Sequence, residues 1–355
     1  MISKQPTEIE SALGEGLQTF VFSAYQLVAD RNNESKSWFG GKTSYWSDAQ
    51  SISESTFFDL GSLTKVVATT SIIARLVDQN RMSLSQSLGD LFKDFKSTAY
   101  SGITVQQLLT HSSGLLAWHP LYLDPKIPLI DLFLKHEGLF LNSSKLKKTV
   151  YSDLGFLLLG EIINSQFGSF EKLFEAEVRG PLNLKHIQYG PLKTADCAAT
   201  EFCLERKKLI QGEVFDLNTA HLGHRCSHAG LFSSAQDLLP WAKEWLNALE
   251  GNSCWLTQKT ADLFTQAGQG ESNGTWALGW DTKSKAFSSA GDFFSDLSFG
   301  HLGYPGTSIW IDPVSKGIVI FLTNRVHPSR LDERIKRFRP LIHNLVVKFW
   351  EQHGN

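Results

Sequence analysis

Ser62 and Lys65 combine a hydroxyl nucleophile with an amine three residues later, at the start of an apolar helix predicted over residues 63–77. A serine in the first turn of a helix has its N–H among the unpaired donors of the helix end, where it can face an oxyanion. A lysine three positions later returns to the same helical face. If burial lowers its pKa, such a lysine can accept the hydroxyl proton. The pair therefore indicates nucleophilic catalysis.

The Ser-x-x-Lys pattern is weak by itself, because the chain contains it twice more. Ser144 and Lys147 lie in a polar, lysine-rich stretch. Ser169 and Lys172 lie at a predicted helix start, where serine is a common cap. Other groups must therefore decide which of the three pairs is catalytic.

Two further motifs accompany Ser62 and Lys65. Tyr151 and Asp153 stand at the start of a helix, where a phenol can share the proton transfer and a carboxylate can hold the lysine. The glycine-rich segment 300–306 contains His301 and precedes a strand, so its backbone can approach a substrate closely. Tyr-x-Asp also occurs at residues 122–124 and His-x-Gly occurs four times, but among the latter only His301 leads directly into a strand.

The elements that must position these groups follow from hydrophobic periodicity. Both chain ends combine strands with a helix, whereas the middle is mainly helical. The predicted helices are 7–17, 63–77, 83–95, 103–109, 154–167, 235–249 and 334–352, and the predicted strands are 20–28, 38–46, 307–312 and 318–323. This order predicts an α/β (α+β) fold in which an antiparallel sheet is flanked by N- and C-terminal helices. The sheet domain comprises residues 1–75 and 240–355, the inserted helical domain comprises 76–239, and the active site lies between them.

The three motifs occur in one order, and their leading residues are separated by 89 and then by 150 positions. In this combination the chain resembles the serine β-lactamase and penicillin-binding-protein-like family, specifically its class C β-lactamase, esterase and DD-peptidase branch. Three more segments resemble the family, and the likeness covers residues 55–328. These segments are 103–115, 228–237 and 322–328.

The resemblance assigns a role to each site residue. It makes Ser62 the acylated nucleophile, Lys65 its base partner and Tyr151 the second acid or base. Asp153 occupies the family's Asn position, and His301 replaces the family's more usual Lys. The backbone N–H groups of Ser62 and Tyr304 would form the oxyanion hole, with Gly303 in the supporting glycine-rich edge.

Asp153 and His301 are the two departures from the family pattern. An Asn amide can donate to a substrate carbonyl, whereas an ionised Asp only accepts. A Lys supplies a fixed charge for a substrate carboxylate, but a neutral His does not. Both changes weaken the case for β-lactam hydrolysis, and they suit the esterases and peptidases of the family better.

Composition excludes several other functions. The 355 residues carry 34 basic and 36 acidic side chains, a net charge of −2, which offers no basic field for nucleic acid or an anionic membrane. Four scattered cysteines do not form a disulfide framework, and no apolar run is long enough to span a membrane. The N-terminus lacks a signal-peptide pattern, so the expected location is the cytoplasm.

The sequence thus predicts a serine hydrolase that cleaves an ester or amide through a Ser62 acyl-enzyme, without a metal or organic cofactor. The expected substrate is a small ester or a peptide or muropeptide containing a D-amino acid, with β-lactams ranked third. One alternative is a non-catalytic binding or regulatory protein with the same fold. Another is a metal-dependent protein built on the histidines and Cys226 of residues 221–228.

Overall fold

A six-stranded antiparallel sheet is built from both ends of the chain in the computed structural model, which describes residues 6–124, 126–139, 149–268 and 274–353. The described strands are β1 (Ala24–Arg31), β2 (Glu34–Gly41), β3 (Phe58–Asp59), β4 (Gln188–Tyr189), β5 (Ala199–Cys203), β6 (Lys208–Gln211), β7 (Leu231–Ser233), β8 (Asp281–Thr282), β9 (Phe299–Leu302), β10 (Ser308–Asp312) and β11 (Gly317–Thr323). The large sheet has the order β2-β1-β11-β10-β9-β8. The predicted antiparallel sheet is therefore confirmed.

The helices occupy the N-terminus, the C-terminus and most of the middle of the chain. The described α-helices are α1 (Glu8–Gln18), α2 (Ser71–Asp78), α3 (Leu88–Leu91), α4 (Val105–Leu109), α5 (Leu129–Lys135), α6 (Asp153–Phe167), α7 (Phe170–Phe174), α8 (Leu217–His221), α9 (Ala235–Leu249), α10 (Gln258–Thr265) and α11 (Ile335–His353). A π-helical segment, Lys65–Thr70, leads directly into α2. Among the helices of the described ranges, none has the length and apolar character needed to cross a bilayer.

The two faces of the sheet pack against different helices because successive side chains of a strand point to opposite sides. On β1, Leu27 and Ala29 join a hydrophobic cluster with α1 and α11. Val28, between them, joins the main core, which also contains residues of α2, α6 and α9. The flanking helices predicted for the chain ends therefore cover one face of the sheet.

Several predicted boundaries differ from the structure. The first strand begins at Ala24 rather than Phe20, because the Val21 N–H bonds back to the Gly16 carbonyl. Its predicted hairpin partner is confirmed over residues 38–41, but strand β2 begins at Glu34 and ends at Gly41 rather than spanning 38–46. It begins earlier because Asn32 and Asn33 adopt positive φ and form a tight turn. Asparagine tolerates this left-handed conformation better than most residues do.

The predicted helix over residues 83–95 is also wrong. This segment contains the four-residue helix α3 and a 3₁₀ turn, Lys93–Phe95. The Leu88 N–H donates to the Ile103 carbonyl, and Ser87 pairs with Thr104 in an isolated bridge. Pairing with a distant segment thus replaces the continuation of the helix.

The middle of the chain is not purely helical, since it also supplies β4 to β7. Strand β3, which ends at Asp59 shortly before Ser62, pairs with β7. The main core is continuous from Ile320 of the sheet through Ile72 of α2 to Leu158 of α6. The division into residues 1–75 with 240–355 and residues 76–239 stays a prediction.

Candidate active site

Ser62 lies in a turn whose backbone is held in place by the buried carboxylate of Asp59. Asp59 accepts hydrogen bonds from the N–H groups of Gly61 at 2.8 Å and Phe215 at 2.6 Å. Burial raises the pKa of Asp59 to about 6, although these hydrogen bonds oppose the rise. Gly61 has a φ of +51°, and a Cβ there would lie 2.5 Å from Pro305 Cδ. Asp59 belongs to none of the motifs found in the sequence, although it lies close to Ser62 in the chain.

Lys65 is fully buried beneath Ser62, and its ammonium group has three acceptors. Its Nζ donates to Ser62 Oγ at 3.0 Å, to Asp153 Oδ1 at 2.6 Å and to the His228 carbonyl at 3.2 Å. A lysine ammonium has three N–H donors. Every donor is therefore used, and one of them holds the nucleophile.

The charge of Lys65 differs from the sequence expectation. Burial alone would lower its pKa, but the carboxylate of Asp153 and the neighbouring Tyr151 outweigh burial, and the pKa of Lys65 is raised. The condition under which Lys65 could accept the hydroxyl proton, a pKa lowered by burial, is not met in the resting site, because the Asp153 carboxylate lies 2.6 Å away. Lys65 is held as a cation.

Tyr151 brings its hydroxyl to the same position. Burial raises the pKa of Tyr151, although Lys65 opposes the rise, so the resting side chain is a neutral phenol. Its ring centroid lies 4.9 Å from Lys65 Nζ. Lys65 and Ser62 lie near enough to the buried hydroxyl for hydrogen bonding to lower its pKa, although among the described residues neither contact reaches full hydrogen-bond geometry. A buried hydroxyl without a fully formed hydrogen bond is costly, which is typical of a group kept for chemistry.

His111 sets the position of Tyr151, although the sequence analysis gave it no role. Its carbonyl accepts the Val150 N–H at 3.0 Å and its Nδ1 accepts the Ser152 N–H at 3.0 Å. The ring also packs on Tyr151 with centroids 4.6 Å apart. Burial, then the charge of Lys65, holds the pKa of His111 well below its usual range. His111 is thus a neutral side chain that fixes the backbone on both sides of Tyr151.

His301 faces the cleft from β9 as a neutral imidazole. Its Nδ1 lies 2.8 Å from the Leu302 carbonyl, so Nδ1 carries the proton and Nε2 is an acceptor. Burial, with a smaller contribution from Lys65, lowers the pKa of His301 to about 3. Nε2 is buried and has no partner among the described residues. Residue 301 therefore offers a substrate an acceptor and not a fixed charge.

Two backbone N–H groups meet beside Ser62. Within the described ranges, the N–H groups of Ser62 and Tyr304 donate to no protein acceptor. A Cβ at Gly61 would lie 3.3 Å from the Tyr304 nitrogen, so the serine turn abuts that group. At Gly303, a Cβ would lie 2.3 Å from the Leu60 carbonyl oxygen, so the close approach requires glycine. Two unpaired N–H groups in this arrangement can donate hydrogen bonds to an oxyanion.

These groups open into a cleft of about 700 Å³. Six of the seven predicted site residues line it, namely Ser62, Tyr151, Asp153, His301, Gly303 and Tyr304, and Lys65 lies underneath. Trp118 and Trp276 contribute to the wall, whereas Trp241 and Trp245 lie in the core. The cleft is large enough for a drug-sized or short peptide ligand.

The competing motifs lie elsewhere. Ser169 is the residue before α7 and does not line the cleft. Ser144 and Lys147 lie outside the described residues. In the segment 221–228, the His228 ring bonds to Asp216 at 3.1 Å. That segment does not bring three ligand atoms together in the described part of the chain.

Comparison with known proteins gives one consistent result. The family model described as Beta-lactamase matches residues 23–343. A protein of Bacillus subtilis (strain 168) named N-acetylmuramyl-L-alanine amidase is 33% identical over 313 residues, which cover 78% of this chain and 70% of that protein. A protein of Escherichia coli (strain K12), provisionally named D-alanyl-D-alanine carboxypeptidase, is 27% identical over 315 residues, covering 78% and 71%.

A solved structure has the same fold. EstCE1, described as a hydrolase with promiscuous acyltransferase activity, superposes with a TM-score of 0.76 at 17% identity. The match covers 95% of this chain and 97% of EstCE1. At this identity the likeness concerns the fold alone.

Proposed function

Because the chain belongs to the beta-lactamase family, as its motifs predicted, we propose that it is a serine hydrolase that cleaves an ester or amide through an acyl-enzyme on Ser62. One observation carries the proposal. Buried Lys65 donates to Ser62 Oγ at 3.0 Å while Asp153 holds it at 2.6 Å. A lysine that only stabilised the fold would not be expected to lie buried against a half-exposed serine hydroxyl in a cleft. The arrangement is typical of a catalytic pair.

Acylation begins with attack of Ser62 Oγ on the substrate carbonyl carbon. The carbonyl oxygen becomes an oxyanion that accepts from the N–H groups of Ser62 and Tyr304. The Ser62 proton passes to Tyr151 Oη, and Tyr151 gives its own proton to the leaving nitrogen or oxygen. The carbon–leaving-group bond then breaks. Cationic Lys65 stabilises the negative charge that develops on Ser62 and Tyr151 during these transfers.

Deacylation reverses the proton path. Water attacks the acyl carbon and gives a proton to Tyr151, which returns one to Ser62 Oγ as the ester bond breaks. The products are a carboxylic acid and the free serine. Lys65 stays a cation throughout, and Asp153 keeps it charged in a buried site where an unpaired ammonium would be unstable.

For the substrate, we favour an amide in a peptide or muropeptide fragment that carries a free carboxylate. The two relatives compared above are named for such bonds. In this chain, Arg325 and Arg339 line the cleft and are largely buried. Among the described residues neither arginine forms an ion pair with a carboxylate, although Arg325 donates to three backbone carbonyls. Burial, then Arg325, lowers the pKa of Arg339 to about 9, and its Nε has no partner.

The test compares a carboxylate-bearing peptide, such as an acyl-D-Ala-D-Ala, with a neutral ester of similar acyl group. In Arg339→Gln, kcat/KM for the peptide should fall about 10–100-fold, since a hydrogen bond to a charged group contributes about 1.5–3 kcal/mol. The neutral ester should lose much less. Equal losses on both substrates would contradict the carboxylate site but leave the acyl-enzyme intact.

A small ester is the second candidate, and His301 is the observation that favours it. A neutral acceptor at this position places no fixed charge opposite the acyl group. Preferential hydrolysis of the neutral ester, unaffected by Arg339→Gln, would select this alternative. Absence of turnover on both substrates, together with binding of the peptide, would select the non-catalytic homologue.

A further inference from the structure

His119, Asp124 and His136 bring two imidazoles and a carboxylate together outside the acylation site. His136 Nε2 lies 3.0 Å from Asp124 Oδ1, and His119 Nε2 lies 3.5 Å from Asp124 Oδ2. The two imidazole centroids are 5.0 Å apart. One ligand atom from each residue can be chosen so that all three lie within 4.8 Å of one another. Each imidazole therefore faces its own oxygen of a single carboxylate.

We propose that these three side chains bind one zinc ion. Zinc takes imidazole nitrogen and carboxylate oxygen at about 2.0–2.2 Å, so neighbouring ligands of a tetrahedral site stand about 3.3 Å apart. The two imidazoles meet different oxygens of Asp124, at 3.0 and 3.5 Å. A bound zinc would therefore draw the three ligand atoms, which lie within 4.8 Å of one another, closer to this spacing. All three side chains are partly exposed, so water can occupy the fourth position.

The backbone around two of the ligands is fixed by other elements. The His119 carbonyl accepts the Leu121 N–H at 2.8 Å and Asn218 Nδ2 at 2.8 Å. The His136 carbonyl accepts from the Tyr100 hydroxyl at 2.8 Å. Ligands whose positions are set in this way lose little freedom on binding a metal, which favours affinity.

The site adjoins the cleft through two consecutive residues. Trp118, next to His119, forms part of the cleft wall. The Ala117 carbonyl accepts the Asp153 N–H at 2.9 Å. Zinc bound to His119 and His136 would therefore tie this segment to the end of α5 and fix the position of the wall. Its role is positioning, and no step of acyl transfer passes through it.

The test uses Co²⁺ as a spectroscopic probe and Zn²⁺ as its competitor. The intact protein should bind one Co²⁺ per chain with a nitrogen- and oxygen-ligand spectrum that lacks a thiolate charge-transfer band, and Zn²⁺ should displace it. His119→Gln and His136→Gln should each raise Kd at least about 100-fold, since loss of even an outer partner costs 10–100-fold. His224→Gln is the matched control and should leave Kd unchanged.

Three results would overturn the proposal. The wild-type protein could fail to compete with a micromolar chromophoric chelator for Zn²⁺. Binding could persist in both His119→Gln and His136→Gln, or be lost in His224→Gln, which would assign the metal to residues 221–228. A thiolate band in the wild-type Co²⁺ spectrum would exclude this ligand set even if a variant failed to fold.

Discussion

Replacement of Asp153 by Asn removes the negative charge of the carboxylate but keeps nearly the same side-chain shape. The amide oxygen can still accept from Lys65, but the ion pair at 2.6 Å is lost. Lys65 is then a buried ammonium without a counter-ion. We expect both the stability of the fold and the pH dependence of acylation to change.

The size of the effect follows from the geometry. At 2.6 Å and an effective dielectric constant of about 20, the attraction between the two charges is about 6 kcal/mol. Desolvation of both groups offsets part of it, and removal of one partner of a buried pair costs about 3–5 kcal/mol. The free energy of unfolding of Asp153→Asn should therefore be about 3–5 kcal/mol lower than that of the wild type while Lys65 stays protonated.

The pH dependence should change sign. In the wild type, burial disfavours the charged amine, but Asp153 and Tyr151 outweigh it and raise the pKa of Lys65. Its contribution to stability is then complete below the unfolded-state pKa, about 10.4, and is lost as pH rises through the folded-state value. In Asp153→Asn burial dominates and lowers the pKa of Lys65. Its contribution to stability should then increase as pH rises from the folded-state value towards about 10.4.

Urea denaturation between about pH 6 and pH 10 measures this difference. Glu171→Gln is the matched control, because Glu171 pairs with Arg225 at 2.7 Å on the surface and should contribute less than about 1 kcal/mol. In parallel, the alkaline limb of the acylation rate should move to lower pH in Asp153→Asn, since deprotonation removes the cation. Equal pH slopes for wild type and Asp153→Asn would refute the ion-pair reasoning. A shift of the acid limb instead, with activity kept at neutral pH, would show that Lys65 is the base.

Three other variants test single features of the site. In Tyr151→Phe, acylation should slow about 10²–10⁴-fold, while urea stability should change by less than about 1 kcal/mol, because the hydroxyl that is removed reaches full hydrogen-bond geometry with no described residue. His301 has a pKa lowered by burial to about 3, so its contribution to stability is lost as pH falls from 6.5 towards 3. His301→Gln should therefore show a shallower loss of stability in acid, with the pH dependence of acylation unchanged between about pH 5 and pH 8. Gly303→Ala should lose more than about 3 kcal/mol, because its Cβ would lie 2.3 Å from the Leu60 carbonyl oxygen, whereas Gly102→Ala, with no atom within 4 Å, should change little.

Elements with a strong local pattern were predicted closely from the sequence. The helix expected over residues 154–167 is α6, with Ser152 as its cap, and the hairpin near the C-terminus is β10 and β11. The helix expected over residues 83–95 failed because its backbone bonds to residues 101–105. Pairing with a distant segment leaves no periodicity in the local sequence.

The candidate site also contains some contacts that the local sequence predicts and others that it does not. The approach of Ser62 to Lys65 follows from helical spacing, and the structure gives 3.0 Å. The Asp153 carboxylate and the His228 carbonyl reach Lys65 from positions 88 and 163 residues away. Only the tertiary fold sets such distances. The charge state of Lys65 depends on them, and for this reason burial alone gave the wrong direction for its pKa.

Formation of an acyl-enzyme on Ser62 can be measured as intact-protein mass after exposure to a fluorophosphonate and, separately, to benzylpenicillin, followed by peptide mapping. We expect one covalent adduct per chain, located on Ser62. The adduct should be absent in Ser62→Ala and retained in Ser169→Ala, the matched control at the second described Ser-x-x-Lys. An adduct that persists in Ser62→Ala, or no adduct from either probe on a folded protein, would contradict the acyl-enzyme on Ser62.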